Sequence, residues 1–421
     1  MKIKFVTLLL MLASILLPEK GEAIPSFSRK YKTSCITCHS VYPKLTPFGE
    51  TFRMNGYQFP KGEQENIKEE RVILGAESYK KIWPDAVWPN SIPAKSPISL
   101  RGKTSFDGMR DETGDIVSEF GLPSLQFLAA NTMGKDISLF LGAHLYEDGK
   151  TGNIDRFFIR FSNLLNGFLP EKALSVRVGQ FIPEMVPFSS NHRGLTQTTY
   201  AFNTYAPSQG NEFVGAYIHE QVPFGIENFQ LGMEFSGLLT PRVRYVGGII
   251  NGSGVQHDVN NERDFYSRLS YKIGGMAFDG SVKESVPIDK EISLTLGTFA
   301  YRGSGTISDT IGFNFHRIGV DFNIIINQFN LIGGVIGGKD GGELTTKYNL
   351  FFGEASYMFY PWLIGLVRYE QANPNEGSSI KRVVPHVSAL VVANVKFFME
   401  TSLDPDDQEL DYFALGLDFA F

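Results

Sequence analysis

Cysteine is almost missing from this chain: 2 in 421 residues, which excludes a disulfide-held scaffold. Charge is sparse as well, at 20 % of residues, and 39 basic against 45 acidic side chains give a net charge of −6. That balance offers no polycationic surface, so nucleic acid is excluded as a partner. After the N-terminus no apolar run reaches the 18 residues that a membrane-crossing helix needs. The most apolar later stretch, Phe322 to Gly338, is interrupted by Asn323, Asn327, Gln328 and Asn330 and reads as a β-hairpin. What is plentiful is aromatic and flexible: 35 Phe, 17 Tyr and 43 Gly, at a mean hydropathy of −0.09. Aromatic wealth excludes a disordered chain. The length suits two or three domains, or one large β-architecture with a small partner. Two classes remain, a large soluble β-protein or an outer-membrane β-barrel.

The N-terminus carries a leader pattern. Lys2 and Lys4 precede an uncharged run from Phe5 to Leu17, and Gly21-Glu22-Ala23 places small residues at −3 and −1. A basic start, a short apolar core and a small-residue site predict a signal peptide over 1–23, cut after Ala23. The core is too short to span a bilayer comfortably. A retained anchor is the alternative. The mature protein is expected outside the cytoplasm.

Both cysteines fall in Ser34-Cys35-Ile36-Thr37-Cys38-His39. Cys-x-x-Cys-His is the attachment pattern of c-type haem. Cys35 and Cys38 would form thioethers to the two vinyl groups of one covalent haem c. His39 would lie beneath the iron as its proximal ligand. Thioether attachment takes place outside the cytoplasm, in agreement with the leader. A redox-active or structural disulfide is the alternative, but its βαβ context is not visible.

Downstream, Thr46 is placed to cap a short helix with Pro47 at its first position and Glu50 in its first turn, ended by Asn55-Gly56. Phe48 and Phe52 share one face and are expected on the haem edge. Met54 is the nearest sulfur and the candidate distal ligand, which would raise the potential relative to a second imidazole. A gap-filling role is the alternative for Met54. Residues 24–94 thus form a monohaem cytochrome c-like domain and tether. It is too small to build its own core without a staple, so one face should pack on the rest of the chain.

From 95 to 421 the sequence alternates. Phe413, Leu415, Leu417, Phe419 and Phe421 share one face, while Ala414, Gly416, Asp418 and Ala420 share the other. Ile137, Leu139, Leu141, Ala143 and Leu145 repeat the pattern, as do Phe157, Ile159 and Phe161, Leu174, Val176 and Val178, and Val395, Phe397 and Met399. Period two with an apolar outer face and a polar or small inner face predicts a transmembrane barrel. Sixteen strands are expected near 97–107, 120–131, 136–147, 152–164, 173–182, 228–237, 241–252, 262–273, 291–302, 312–325, 328–338, 346–358, 362–372, 381–391, 394–403 and 409–421. Tight turns at 133–135, 327–328, 360–361 and 392–394 would face the periplasm, and longer links such as 108–119 and 404–408 the outside. The segment 183–227 reads as a long external loop folded into the lumen, with a possible extra strand near 211–221.

On this register Arg101, Lys103, Arg156, Arg160 and Arg177 point inward. They would meet haem propionates, or Glu63, Glu65, Glu69 and Glu70 of the tether, or simply line a charged pore. His144 and His386 also face inward, as distal ligands or as hydrogen-bonded bystanders. The acidic turn at Asp404, Asp406, Asp407 and Glu409 would hold a hard cation weakly or be a solvated turn.

A single haem joined to a barrel resembles the fused monohaem cytochrome–porin family of outer-membrane proteins. The specific part of the likeness is Ile24 to Pro60: Tyr31, the motif from Cys35 to His39, Tyr42-Pro43-Lys44-Leu45, and Phe48-Gly49-Glu50 through Asn55-Gly56-Tyr57. The resemblance implies a haem plug in the barrel mouth. It would pass electrons from an extracellular donor such as Fe(II) to a soluble periplasmic carrier, for instance a cytochrome, in the manner of a ferrous iron:cytochrome oxidoreductase. It implies a place in the bacterial outer membrane, with outer-membrane lipid around the barrel and the haem in the lumen or on its periplasmic side. The alternatives are a diffusion porin that the haem domain plugs, gates or senses, and a peroxidase-like enzyme with an open iron site.

Overall fold

The computed structural model describes residues 26–73, 81–82, 84, 91–93, 97–111, 113–147, 149–187, 194–203, 225–254, 262–282, 292–308, 311–341, 346–375, 379–406 and 409–420. The expected signal peptide, the terminal Phe421 and the possible extra strand near 211–221 lie outside these residues.

The N-terminal part holds helix α1 (Ser26–Tyr31), a 3-10 turn over Cys35–Thr37, the short paired strands β1 (His39–Val41) and β2 (Lys44–Leu45), and helices α2 (Pro47–Met54) and α3 (Glu63–Asn66). Beyond it, β3 (Arg71–Ile73) pairs with β4 (Ser91–Pro93). The barrel follows as β5 (Ile98–Arg110), β6 (Ile116–Phe120), β7 (Ser124–Met133), β8 (Ile137–Glu147), β9 (Lys150–Phe161) and β10 (Ser175–Phe181). It continues as β11 (Gln230–Thr240), β12 (Val243–Ile250), β13 (Asp264–Gly274), β14 (Ser293–Ser308), β15 (Ile311–Ile326) and β16 (Phe329–Asp340). Its last strands are β17 (Thr346–Tyr360), β18 (Leu363–Pro374), β19 (Ile380–Val392), β20 (Val395–Leu403) and β21 (Leu410–Ala420). All pair antiparallel, and β21 closes the cylinder on β5.

Each of the sixteen expected strands has its counterpart. Within the barrel the strand not anticipated is β6, which pairs only with the outer half of β5, while β7 takes over the inner half. The break between β6 and β7 has a local cause. Pro123 donates no ladder hydrogen bond, and a Cβ on Gly121 would come within 2.3 Å of Asp107 Oδ2. The link 108–119 is therefore a protruding ribbon rather than an irregular loop.

The barrel is inverted relative to a soluble protein. On β13, Asp264, Tyr266, Arg268, Ser270 and Lys272 are buried inside, while Phe265, Leu269, Tyr271 and Ile273 are exposed outside. On β20, Lys396, Phe398 and Glu400 are inside and Phe397 and Met399 outside. An apolar outer band belongs in lipid. The buried polar face survives because it is paired: Arg268–Asp321 at 2.6 Å and Arg368–Glu370 at 3.1 Å are examples.

Two segments fill the lumen. From the end where β5 begins and β21 finishes, the N-terminal part enters as a plug. Lys30 donates to Thr132 Oγ1 (3.0 Å), Lys44 pairs with Glu354 (3.3 Å), Lys172 donates to the Pro60 carbonyl (2.7 Å), and the Tyr57 ring lies 5.1 Å from Phe140. From the other end, the described parts of the link between β10 and β11, 182–187, 194–203 and 225–229, fold inward. The Gln197 and Thr198 amides donate to Glu400, Tyr200 Oη to Glu354 and the Ala201 amide to Glu370, at 2.7–2.8 Å.

Within the plug, Thr46 caps α2 by accepting from the Gly49 amide at 3.1 Å, with Pro47 first in the helix. Gly49 lies against the cysteine turn: a Cβ there would sit 2.0 Å from the Cys38 carbonyl oxygen. Backbone cannot yield as a side-chain tip can. Gly49→Ala is therefore expected to loosen the plug by about 1–3 kcal/mol, measured as faster proteolysis of the N-terminal segment in an otherwise folded barrel.

Candidate functional site: the cysteine and histidine cavity

The 3-10 turn at Cys35–Thr37 and the α2 cap are tied together. The Thr46 amide donates to the Cys38 carbonyl (2.9 Å) and Thr46 Oγ1 to the Thr37 carbonyl (3.0 Å). This holds Cys35, Cys38 and His39 on one side of a cavity of about 270 Å³ between plug, barrel wall and inward loop. A water needs about 10–15 Å³ by the same measure, so the space suits a far larger occupant. Phe27, Tyr31, Phe52 and Phe59 line the plug side; Phe140, Phe158 and Phe181 line the wall. Arg101, Arg156, Arg177 and Lys396 bring positive charge to the same cavity.

The donor set suits a covalent haem c. Cys35 and Cys38 are free thiols, not a disulfide. Burial and the neighbouring Cys35 push the Cys38 thiol up to about 12. His39 Nδ1 lies 3.3 Å from the Pro43 carbonyl oxygen. A carbonyl only accepts, so Nδ1 carries the hydrogen and Nε2 keeps the lone pair that a metal needs. Burial pushes His39 down to about 4; Arg101 and Lys396 act in the same sense, against the Pro43 hydrogen bond and Glu50. The ring is therefore neutral and available at pH 7.

The other expected site residues are placed as follows. Met54 lines two smaller crevices, one beside Asn55, Arg160 and Lys172 and the other beside Thr51 and Lys44, and is not part of the lining shared by the cysteines and His39. α2 explains this, because Phe52 and Met54, two residues apart, point to different sides of a helix. Phe48 packs on Phe59 at 5.0 Å, and Phe52 alone of the pair reaches the cavity. His386 is held by Glu400 (2.8 Å) and Ser388 (2.7 Å), and His144 by Asp155 (2.7 Å) and Glu147 (3.0 Å). Neither imidazole lines the cavity, which agrees with bystander roles.

Arg101 and Arg177 do point inward, but toward carboxylates of the wall, Asp418 (2.7 Å) and Glu234 (2.7 Å). Glu63 of the tether turns instead to Lys30 (2.7 Å) and Tyr31 (3.0 Å). Arg156 lies over the Phe140 and Phe229 rings, Lys103 over Phe398, and Arg160 in the crevice of Met54. In the acidic turn, Lys381 pairs with Asp406 and Arg110 with Glu409 (2.9 Å), as in a solvated turn; Asp407 lies outside the described residues. No group of three or more His, Cys, Asp or Glu placed to hold a metal occurs among the described residues. Sequence reasoning passed over Lys396, Asp418 and Glu184. Their only signal was inward alternation for the first two and a place in the lumen loop for the third.

No family model and no curated protein matches the sequence. Solved structures share the fold. The chain is similar to an anion-selective porin from Comamonas acidovorans, at TM-score 0.55 and 12 % identity over 78 % of this chain and 100 % of that one. It is likewise similar to the Salmonella typhi OmpF in a complex with daunomycin, at TM-score 0.52 and 12 % identity over 77 % and 98 %. The architecture is therefore a closed antiparallel barrel of sixteen crossing strands, of the type of the outer-membrane porins.

Proposed function

We propose that this protein is an outer-membrane electron conduit. One covalent haem c, held by Cys35, Cys38 and His39 in the plugged lumen, would relay electrons between an extracellular donor and a soluble periplasmic carrier. The observation that carries this reading is the convergence of two free thiols and a neutral imidazole, its Nδ1 tied to the Pro43 carbonyl at 3.3 Å, on one aromatic cavity inside a barrel. A bound haem c supplies a one-electron couple. The chain's own residues do the rest: the 3-10 turn presents both sulfurs, Pro43 fixes the imidazole tautomer, and the aromatic side chains offer an apolar contact surface. The hydrocarbon core is about 30 Å thick, so a carrier set inside the lumen shortens the distance an electron must cover. Fe(II) suits the donor role, because oxidised iron then stays outside and only the electron crosses.

The second reading is a diffusion porin whose plug closes or gates it, and the porin-type architecture favours it. Against an open bore stand the two segments that fill the lumen. The test uses outer membranes of cells making the full chain together with haem-attachment machinery. The conduit predicts a haem stain that survives denaturing electrophoresis, rapid reduction by ferrous iron, and little solute leakage from vesicles holding the purified protein. An unstained band with rapid leakage would replace it with the porin reading, and a stained haem that ferrous iron leaves oxidised would remove iron as the donor.

A further inference from the structure

We infer that Arg101, Lys396 and Asp418 of the barrel wall are positioning residues for the His39 loop and set the reduction potential of the group the cavity holds. This rests on the haem c reading above. The three residues come from β5, β20 and β21, the adjacent strands where the first strand of the barrel meets the last. Asp418 accepts from Arg101 at 2.7 Å and from Lys396 at 3.2 Å, so two cations share one carboxylate. All three side chains line the cavity, and those of Lys396 and Asp418 are buried.

Their reach to His39 runs through Tyr42. Lys396 Nζ donates to the Tyr42 carbonyl at 2.9 Å, and the Arg101 guanidinium lies 4.9 Å over the Tyr42 ring. The Tyr42 ring in turn sits 5.0 Å from the His39 imidazole, and the next carbonyl along the chain, that of Pro43, holds His39 Nδ1. The wall thus fixes the peptide next to the one that holds the His39 imidazole. The triad also leaves one uncompensated positive charge in a water-poor site, where charges act over longer range than in solvent. Excess positive charge favours the reduced over the oxidised form of a one-electron centre.

The experiment is an optical redox titration of the full-length purified holoprotein, with covalent haem measured in parallel. Lys396→Gln and Arg101→Gln each remove a cation and are expected to lower the midpoint potential. Asp418→Asn removes the anion and is expected to raise it, and Lys396→Arg should stay close to the parent. Packing damage would shift all variants the same way, so opposite signs are the signature of charge. Potentials that move together, or do not move at unchanged haem content, overturn the inference and leave the haem reading standing. A parent protein without covalent haem overturns the haem reading itself. If Asp418→Asn does not fold, the comparison of Lys396→Gln with Lys396→Arg decides alone.

Discussion

Replacing Cys35 and Cys38 together by alanine is expected to abolish covalent haem staining completely while the barrel still folds. The effect is all or none because a thioether survives denaturation and a coordinate bond to His39 does not. The barrel should tolerate the change because neither sulfur holds it together. The cysteine turn is only half-buried, and the contact from Cys35 Sγ to Ser28 Oγ is long, at 3.9 Å. What shapes the turn is backbone, the Thr46 amide on the Cys38 carbonyl and the Thr46 hydroxyl on that of Thr37. The check is a denaturing gel stained for haem, beside an unheated sample whose mobility reports the closed barrel. A stained band in the double variant would remove the thioether assignment. A barrel that no longer forms would mean that the turn, rather than the cofactor, is what the cysteines serve.

Glu184→Ala is expected to unfasten plug and loop together. Glu184 lies on the inward loop, is almost fully buried, and binds Arg244 of the wall through both oxygens at 2.6 and 3.1 Å. It also meets Arg53 of the plug at 3.3 Å. Loop, wall and plug therefore share one carboxylate. Its loss strands a buried guanidinium on Arg244, and breaking such a pair costs about 3–5 kcal/mol. At tenfold per 1.4 kcal/mol, that is on the order of a hundredfold or more in the population of the loosened state. External protease should cut the chain between β10 and β11 at a correspondingly higher rate, and the variant should leak small solutes. Unchanged proteolysis would mean that the contacts to Glu354, Glu370 and Glu400 hold the loop without this one. Glu184→Gln keeps one accepting oxygen for Arg244 but puts an amide NH2, which only donates, in place of the other, and is expected to fall between the two.

Much of this arrangement was legible because the barrel strands obey a period of two and turn residues interrupt them. The registers at Val395–Met399 and Phe413–Phe419 could be read directly, since a one-residue slip would have put Lys396, Glu400 and Asp418 into lipid. β6 was not legible: Ile116–Phe120 is exposed on both faces, so it carries no alternation to read. The core of the site was legible in one motif, because Cys-x-x-Cys-His is local. Its surroundings were not. Lys396 and Asp418 lie more than 350 residues from His39, and only closure of β21 on β5 brings them near it. Met54 shows the same limit of local reading. It is near the motif in sequence, but α2 places it among the linings of two smaller crevices and not in that of the cavity.

The seam between β5 and β21 also constrains how the molecule is made. The cylinder cannot shut until the last strand of the chain has arrived, whereas the plug is synthesised before any strand of the cylinder. Once shut, the described segments occupy the lumen from both sides, the plug from one end and the inward link from the other, and so narrow the way in for a large flat ring. If Cys35 and Cys38 carry haem c as proposed, its attachment is therefore expected before the strands close around the plug.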